Sequence, residues 1–238
     1  MQTQFQTRDI TLAQAQQQAS TVFLAKVFNW MAVGLTLTGG IAYFVAASGL
    51  TRTLVANPIL FFALVLIELG LVFFLSARIN RIQPGTATGI FVCYSALNGV
   101  VLSVIFLAYT HTSIAVTFLV TAGMFAAMAI YGMVTKRDLS GLGSFMFMGL
   151  IGIILASIVN IFLQSSSLHW AISAIGVVVF VGLTAYDVQK IKNIGEEGIM
   201  SQGEAAIRKG AIIGALALYL DFINLFLMLL RFFGGSRD

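Results

Sequence analysis

The stretch at residues 211–233, AIIGALALYLDFINLFLMLLRFF, decides how the rest of the chain is read. It is long enough to cross a bilayer core, which takes about 20 apolar residues in helical form, and it carries Asp221 near its middle. A charge at that depth costs about 2.5–3.5 kcal/mol on insertion scales, so an intramembrane carboxylate is a functional candidate by default. At helical spacing Gly210, Gly214, Ala217, Asp221, Asn224, Met228 and Arg231 form one line that is small or polar nearly throughout. Leu216, Leu218, Leu220, Phe222, Leu225 and Leu229 cover the remainder. A helix of this kind turns its small-polar line toward other helices or water and its leucines toward neighbours or lipid. The question of function becomes what faces Asp221.

Composition carries the membrane reading to the whole chain. Of 238 residues 59% are hydrophobic and only 9% charged, with a mean hydropathy of +0.97. A soluble domain carries about 25% charged residues, so this chain has too few charges to cover a surface that faces water. It is an integral membrane protein. The formal charge of +4 would suggest nucleic acid in a soluble protein, but here the basic residues sit in short loops, where they set membrane orientation. Nucleic-acid binding is not expected. Cys93 is the single cysteine and lies inside a hydrophobic run, which leaves no internal disulfide and no reading of redox compartment. With His111 and His169 the only histidines, no zinc-type ligand cluster can be assembled.

Outward from the closing stretch, the pattern predicts an all-α polytopic membrane protein. Residues 1–22 are a polar, glutamine-rich N-terminal tail, and residues 23–238 form a seven-helix transmembrane domain. The tail has no basic start leading into a short apolar core and a small-residue cleavage site, so it is not a cleaved signal peptide; it reads as a tail or a short surface helix. The expected spans are 27–47, 59–77, 86–108, 113–134, 142–163, 169–187 and 211–233. Asn57-Pro58, Gln83-Pro84-Gly85 and Ser165-Ser166-Ser167 supply breakers between them. Only the last link, 188–209, is expected to be long. Gly39-Gly40, Gly85 with Gly89, Gly149 with Gly152, and Gly210 with Gly214 are expected where helices approach closely.

Arg8, Lys26, Arg78, Arg81, Lys136, Arg137, Lys190, Lys192, Arg208 and Lys209 fall on the side of the N-terminus, against Arg52, Arg231 and Arg237 on the other. That asymmetry predicts a cytoplasmic N-terminus and an extracytoplasmic C-terminus.

Three acidic residues lie within the spans: Glu68, Asp187 and Asp221. At 1.5 Å per residue Asp187 lies about 7 Å inward from Lys192, and Asp221 about 15 Å beyond Ala211. Both aspartates then belong to the same half of the bilayer, on helices adjacent in sequence. Asp187 is either half of a pair with Asp221 or an interfacial carboxylate held by Lys190 or Lys192. Glu68 either lines the same interior or hydrogen-bonds a neighbouring helix. If the two aspartates meet, they cannot both ionise cheaply and share a proton. Removing that proton sets like charges against each other and can push two helices apart. The same oxygens suit a hard cation such as calcium, which makes Asp187 and Asp221 candidate calcium contacts. Arg78, near the cytoplasmic end of the second span, is a candidate partner for one carboxylate.

The string ALYLDFINLFLMLLRFFG at 217–234, preceded by AYDVQKIK at 185–192, strongly resembles the Bax inhibitor-1 family, also called the transmembrane Bax inhibitor motif family. The seven-span layout, basic bias and polar tail agree over nearly the whole chain, and the tail and loops resemble those of a bacterial member. The resemblance implies a fold in which six helices surround a central seventh, residence in a bacterial inner membrane, and a pH-sensitive calcium leak. It also implies that Asp187 and Asp221 are the pH sensor and gate, with an arginine latch matched by Arg78 or, close by, Arg81. Calcium ions and protons are then the expected ligands, calcium as permeant ion rather than cofactor, and a membrane protease is a candidate partner.

Two other classes compete. An intramembrane aspartyl protease also uses a Tyr-Asp on one helix and an aspartate on the next. It needs Gly-x-Gly-Asp around the second aspartate and a Pro-Ala-Leu turn after it, however, and here Leu218-Tyr219-Leu220 precedes Asp221 while the only prolines are Pro58 and Pro84. No enzyme is expected. The alternative to a channel is a non-conducting regulatory protein that binds a membrane protease or other partner through its tail and charged loop.

Overall fold

The computed structural model describes the backbone of residues 2–235 and the side chains of residues 14–235. Arg8 and Arg237 of the charge asymmetry therefore lie outside the described side chains. The helices are α1 (Gln2–Ala47), α2 (Leu50–Ala56), α3 (Pro58–Arg78), α4 (Pro84–Leu102), α5 (Ile105–Ala108), α6 (His111–Val134), α7 (Ser140–Leu163), α8 (Ser166–Glu196) and α9 (Glu204–Phe233). Seven stretches among the described residues are long and apolar enough to span a membrane, α4 and α5 together making one of them. The chain is an all-α polytopic membrane protein.

Local chemistry sets most helix ends. Pro58 and Pro84 open α3 and α4, where a missing N–H has no cost and the fixed φ suits a first turn. Thr110 and Ser165 cap α6 and α8, their hydroxyl oxygens accepting from the N–H groups of Ser113 and Leu168. Two ends differ from the sequence reading. The expected tail and first span are one helix, α1, and its side chains are already buried by Ser20 and Phe23, which pack against Gly195 on α8. The expected long link at 188–209 is short: α8 continues to Glu196, and α9 begins at Glu204. Lys192 and Glu196 form a 3.7 Å ion pair one turn apart on α8, so the charges that mark the membrane rim ride on a helix that outlasts the membrane. Gly198 and Gly203 reverse the chain at φ of +91° and +90°, a backbone region open to glycine at little cost.

α9 is the centre. Of its most apolar window 72% is buried, against 11% for α3 and for α7. Its leucines face neighbouring helices: Leu218, Leu225 and Leu230 have almost no exposure. α1, α4, α6 and α8 pack directly along it. α3 lies outside against α4, and α7 outside against α8, so four helices rather than six form the inner ring. The physical reason is legible in hydropathy. α3 and α7 average 2.7 and 2.5, the highest of the seven spans, and lipid offers polar side chains no partner. Ile59, Phe73, Leu119 and Phe162 are among the large side chains left open on the outer surface.

The close helix contacts fall at only some of the glycines expected. Positions 39, 40, 85, 89 and 152 face open space, while Gly149, Gly210 and Gly214 meet neighbouring side chains. Close approaches also fall at glycines that pair spacing did not mark, among them Gly99, under the Thr38 carbonyl, Gly132, against the Ala185 carbonyl, and Gly195, against the Ser20 backbone. Pair spacing marks a shared face but does not say whether that face meets protein or lipid.

Candidate functional site

α7 packs along α8 and barely touches α9. The wedge between α7 and α9 is a cavity of about 530 Å³, open on one side, with α8 as its floor. Asp187 from α8 and Asp221 from α9 both line it. The structure thus brings the two sequence-predicted aspartates to one site, within electrostatic reach of each other. Their surroundings differ. Asp221 is 5% exposed, and its Oδ2 has no hydrogen-bond partner among the described residues. Asp187, one turn from the rim, is half-buried. The line of small and polar residues on α9 accounts for the space: Ala217 and Asn224 flank Asp221 on the cavity wall, and Gly143 and Ser144 face them from α7.

Residues near Asp187 shape the floor. Lys190 lines the cavity with its ammonium 5.9 Å from the Tyr186 ring centre. It forms no ion pair with Asp187; the one ion pair among the described residues joins Lys192 to Glu196. Lys190 lies within electrostatic reach of Asp187 without a direct ion pair among the described residues. Gly143 sits against the Tyr186 ring so closely that a Cβ there would fall 2.5 Å from it. Gln189 accepts from the Leu139 N–H at 2.8 Å and donates to the Arg137 carbonyl at 2.8 Å. One amide thus ties the α6–α7 turn to α8 beside Asp187. Just before that turn's last residue, the exposed Asp138 accepts from the Ser140 N–H at 2.9 Å, which holds its carboxyl below the usual range.

Arg78 and Arg81 are not part of this site. Both are exposed at the far end of α3 and in the turn that follows, and neither lines the cavity or pairs with an acid. Two basic residues of α9 reach this end of the molecule: Lys209 Nζ donates to the Asn80 carbonyl in that turn at 3.4 Å, and Arg208 Nε to Thr88 Oγ1 on α4 at 3.2 Å.

Glu68 does not line the cavity either. It is 7% exposed and accepts from Asn98 Nδ2 at 3.4 Å, so of its two sequence readings the hydrogen bond to a neighbouring helix is the one observed. Tyr219, two residues before Asp221 and so on the opposite side of α9, donates to Asn98 Oδ1 at 3.1 Å and meets Thr38 Oγ1 at 2.7 Å. Among the described residues no group of three or more His, Cys, Asp or Glu side chains is placed to hold a metal ion.

The family model described as "Inhibitor of apoptosis-promoting Bax1" matches residues 20–238, nearly the whole chain. The chain belongs to the Bax inhibitor family. Among relatives in that family, the inner membrane protein YbhL of Escherichia coli K12 is 54% identical over 216 residues, covering 90% of this chain and 92% of its own. An uncharacterized protein of Borreliella burgdorferi is 48% identical over 218 residues, covering 91% and 93%. Another, from Deinococcus radiodurans, is 45% identical over 216 residues, covering 91% of each chain. The Bax inhibitor family resemblance read from the closing string is thereby established, and the match begins at Ser20, which packs against Gly195 on α8.

Proposed function

We propose that this Bax inhibitor family protein is a pH-sensitive calcium leak of the bacterial inner membrane, with Asp187 and Asp221 as its proton sensor and gate. One observation carries the reading: two acids from different helices border a single open-sided cavity, and one oxygen of the deeper acid is unpartnered. In a membrane interior such an oxygen needs a proton or a cation. Sharing one proton keeps the pair at a single charge; losing it leaves two like charges in low dielectric and favours separating α8 from α9. Calcium takes six to eight oxygens in a tight site. Two carboxylates with Asn224, Ser144 and water offer a passing contact, which suits a leak better than storage.

The orientation goes with this reading. The excess of basic residues at the Arg78 end supports a cytoplasmic N-terminus, and an odd number of spans supports an extracytoplasmic C-terminus. Reporters fused at Met1 and after Asp238 should read cytoplasmic and extracytoplasmic respectively; two ends on one side would contradict it.

Calcium flux into proteoliposomes, followed from acidic to alkaline pH, tests the function. The expected result is a flux above that of empty liposomes which changes with pH and whose pH response flattens in Asp187→Asn. Flux equal to empty liposomes throughout would replace the channel with the non-conducting regulatory protein, and an unchanged pH response in the variant would place the sensor elsewhere.

A further inference from the structure

On the side of α9 away from the cavity, four helices meet through a chain of buried polar atoms. Thr38 on α1, Ser95 and Asn98 on α4, Glu68 on α3 and Tyr219 on α9 are all below 9% exposed. Four contacts connect them: Thr38 Oγ1 to the Ser95 carbonyl at 2.8 Å, Thr38 Oγ1 to the Tyr219 hydroxyl at 2.7 Å, Tyr219 to Asn98 Oδ1 at 3.1 Å, and Asn98 Nδ2 to Glu68 Oε2 at 3.4 Å. Glu68 Oε1 has no partner among the described residues. Glu68 lies midway along α3, about 15 Å from either end at 1.5 Å per residue. The titratable groups within electrostatic reach of it are Tyr94 on α4 and Tyr219 on α9. α1 contributes Thr38 to the chain, and among the described residues no cationic side chain forms an ion pair with the carboxyl.

Hydrogen counting separates the two charge states of Glu68. If it is ionised, Asn98 must give an amide hydrogen to it and Tyr219 must give its hydroxyl hydrogen to Asn98 Oδ1. Thr38 then has one hydrogen for two acceptors, the Ser95 carbonyl and the Tyr219 oxygen, so one of the four contacts has no hydrogen in it. The carboxylate itself, which can accept about four hydrogen bonds, has a single long one in a medium where an unpaired charge is expensive. If Glu68 is protonated and the Asn98 amide is turned by half a revolution, which exchanges its nitrogen and oxygen at almost no change of shape, every contact is filled. Glu68 donates to Asn98 Oδ1, Asn98 Nδ2 to Tyr219, Tyr219 to Thr38, and Thr38 to the Ser95 carbonyl.

We infer that Glu68 is a second proton-binding site, separate from the aspartate pair, and that its proton completes a one-directional hydrogen-bond chain fastening α9 to α1, α3 and α4. Loss of the proton leaves a buried charge and an unfilled contact, and loosens α9 on this side. The site binds a proton rather than a metal ion: its other oxygens already serve one another, and Glu68 does not line the cavity that Asp187 and Asp221 share. None of this depends on calcium conduction.

The test is made in Asp187→Asn/Asp221→Asn protein, so that the aspartate pair cannot contribute, and it reads infrared absorption and melting temperature rather than flux. At neutral pH a protonated-carboxyl C=O band should be present and should disappear in Glu68→Gln. The glutamine side chain donates to Asn98 Oδ1 as the protonated acid does, so this variant should melt at or above its parent. The parent's melting temperature should fall by several degrees as pH rises, because the native packing holds a proton that the disordered chain releases; with Glu68→Gln that fall should be absent. Absence of the carboxyl band would overturn the inference, as would superimposable pH profiles of parent and Glu68→Gln. Stabilisation by added calcium that requires Glu68 would overturn it in favour of a cation site.

Discussion

The two faces of α9 differ in how they treat a buried polar group. Toward α7 and α8, Asp221 has an oxygen without a partner among the described residues and lines a cavity of about 530 Å³. Toward α1 and α4, Tyr219 is 0% exposed, makes two side-chain hydrogen bonds, and is held edge-on by Phe91 and Tyr94 with ring centres at 6.0 and 5.6 Å. On one face the space is filled and Tyr219 is satisfied; on the other there is room and Asp221 is not. A helix that must move against part of its surroundings and stay docked to the rest needs this division, since filled interfaces resist small displacements and unpaired charges respond to protons and ions.

Adding a methyl group on each side should break the comparison first if it is wrong. At Gly99 a Cβ would fall 2.7 Å from the Thr38 carbonyl and 2.9 Å from Ile41 Cβ, atoms that cannot yield without parting α1 from α4. Gly99→Ala should cost about 1–3 kcal/mol, a drop of several degrees in melting temperature. At Gly143 the atom in the way is the Tyr186 ring, which has the cavity beside it. Gly143→Ala should cost less than about 1 kcal/mol and change the cavity's occupancy instead, read as an altered leak at unchanged stability. Equal losses in thermal melts would mean that the cavity side is as tightly filled as the other.

Smaller effects sharpen the contrast. Tyr219→Phe removes one oxygen and leaves Thr38 and Asn98 short of a partner, at about 1–2 kcal/mol, with the pH response of the leak preserved. Asp221→Asn should do the reverse. It keeps shape, removes a buried charge, and should melt no lower than the parent while flattening the pH response. A Tyr219→Phe protein with normal melting, or an Asp221→Asn protein that fails to fold, would each undo the division.

Much of this arrangement was legible in the residues. Seven spans, the membrane setting and the family followed from apolar runs and from LYLDFINLFLMLLRFFG. The convergence of Asp187 and Asp221 was readable because both are charges on sequence-adjacent helices at similar depth. What was not readable involves partners far apart in sequence. Tyr219, Asn98 and Thr38 are each ordinary polar residues in a span, and only their assembly from three helices makes them a chain. A polar residue at mid-depth in nearly every inner helix is the signal that could have raised the question. Gly39-Gly40 and Gly85 with Gly89 misled, while Gly210 with Gly214 did not, because periodicity reports a face, not its neighbour. The length of α8 escaped because its last turns are charged, and charge ends a hydrophobic run without ending a helix.

The central claim is that Asp187 and Asp221 act as one titrating unit on the open side of α9. A double-mutant cycle on proteoliposome calcium flux measures it directly, comparing the pH response of the parent, Asp187→Asn, Asp221→Asn and the combined variant. Residues acting as a unit give non-additive effects, so the combined variant should show the same flattened response as either single one. Two separate losses that sum in the combined variant, or a full pH response that survives both substitutions, would contradict the account.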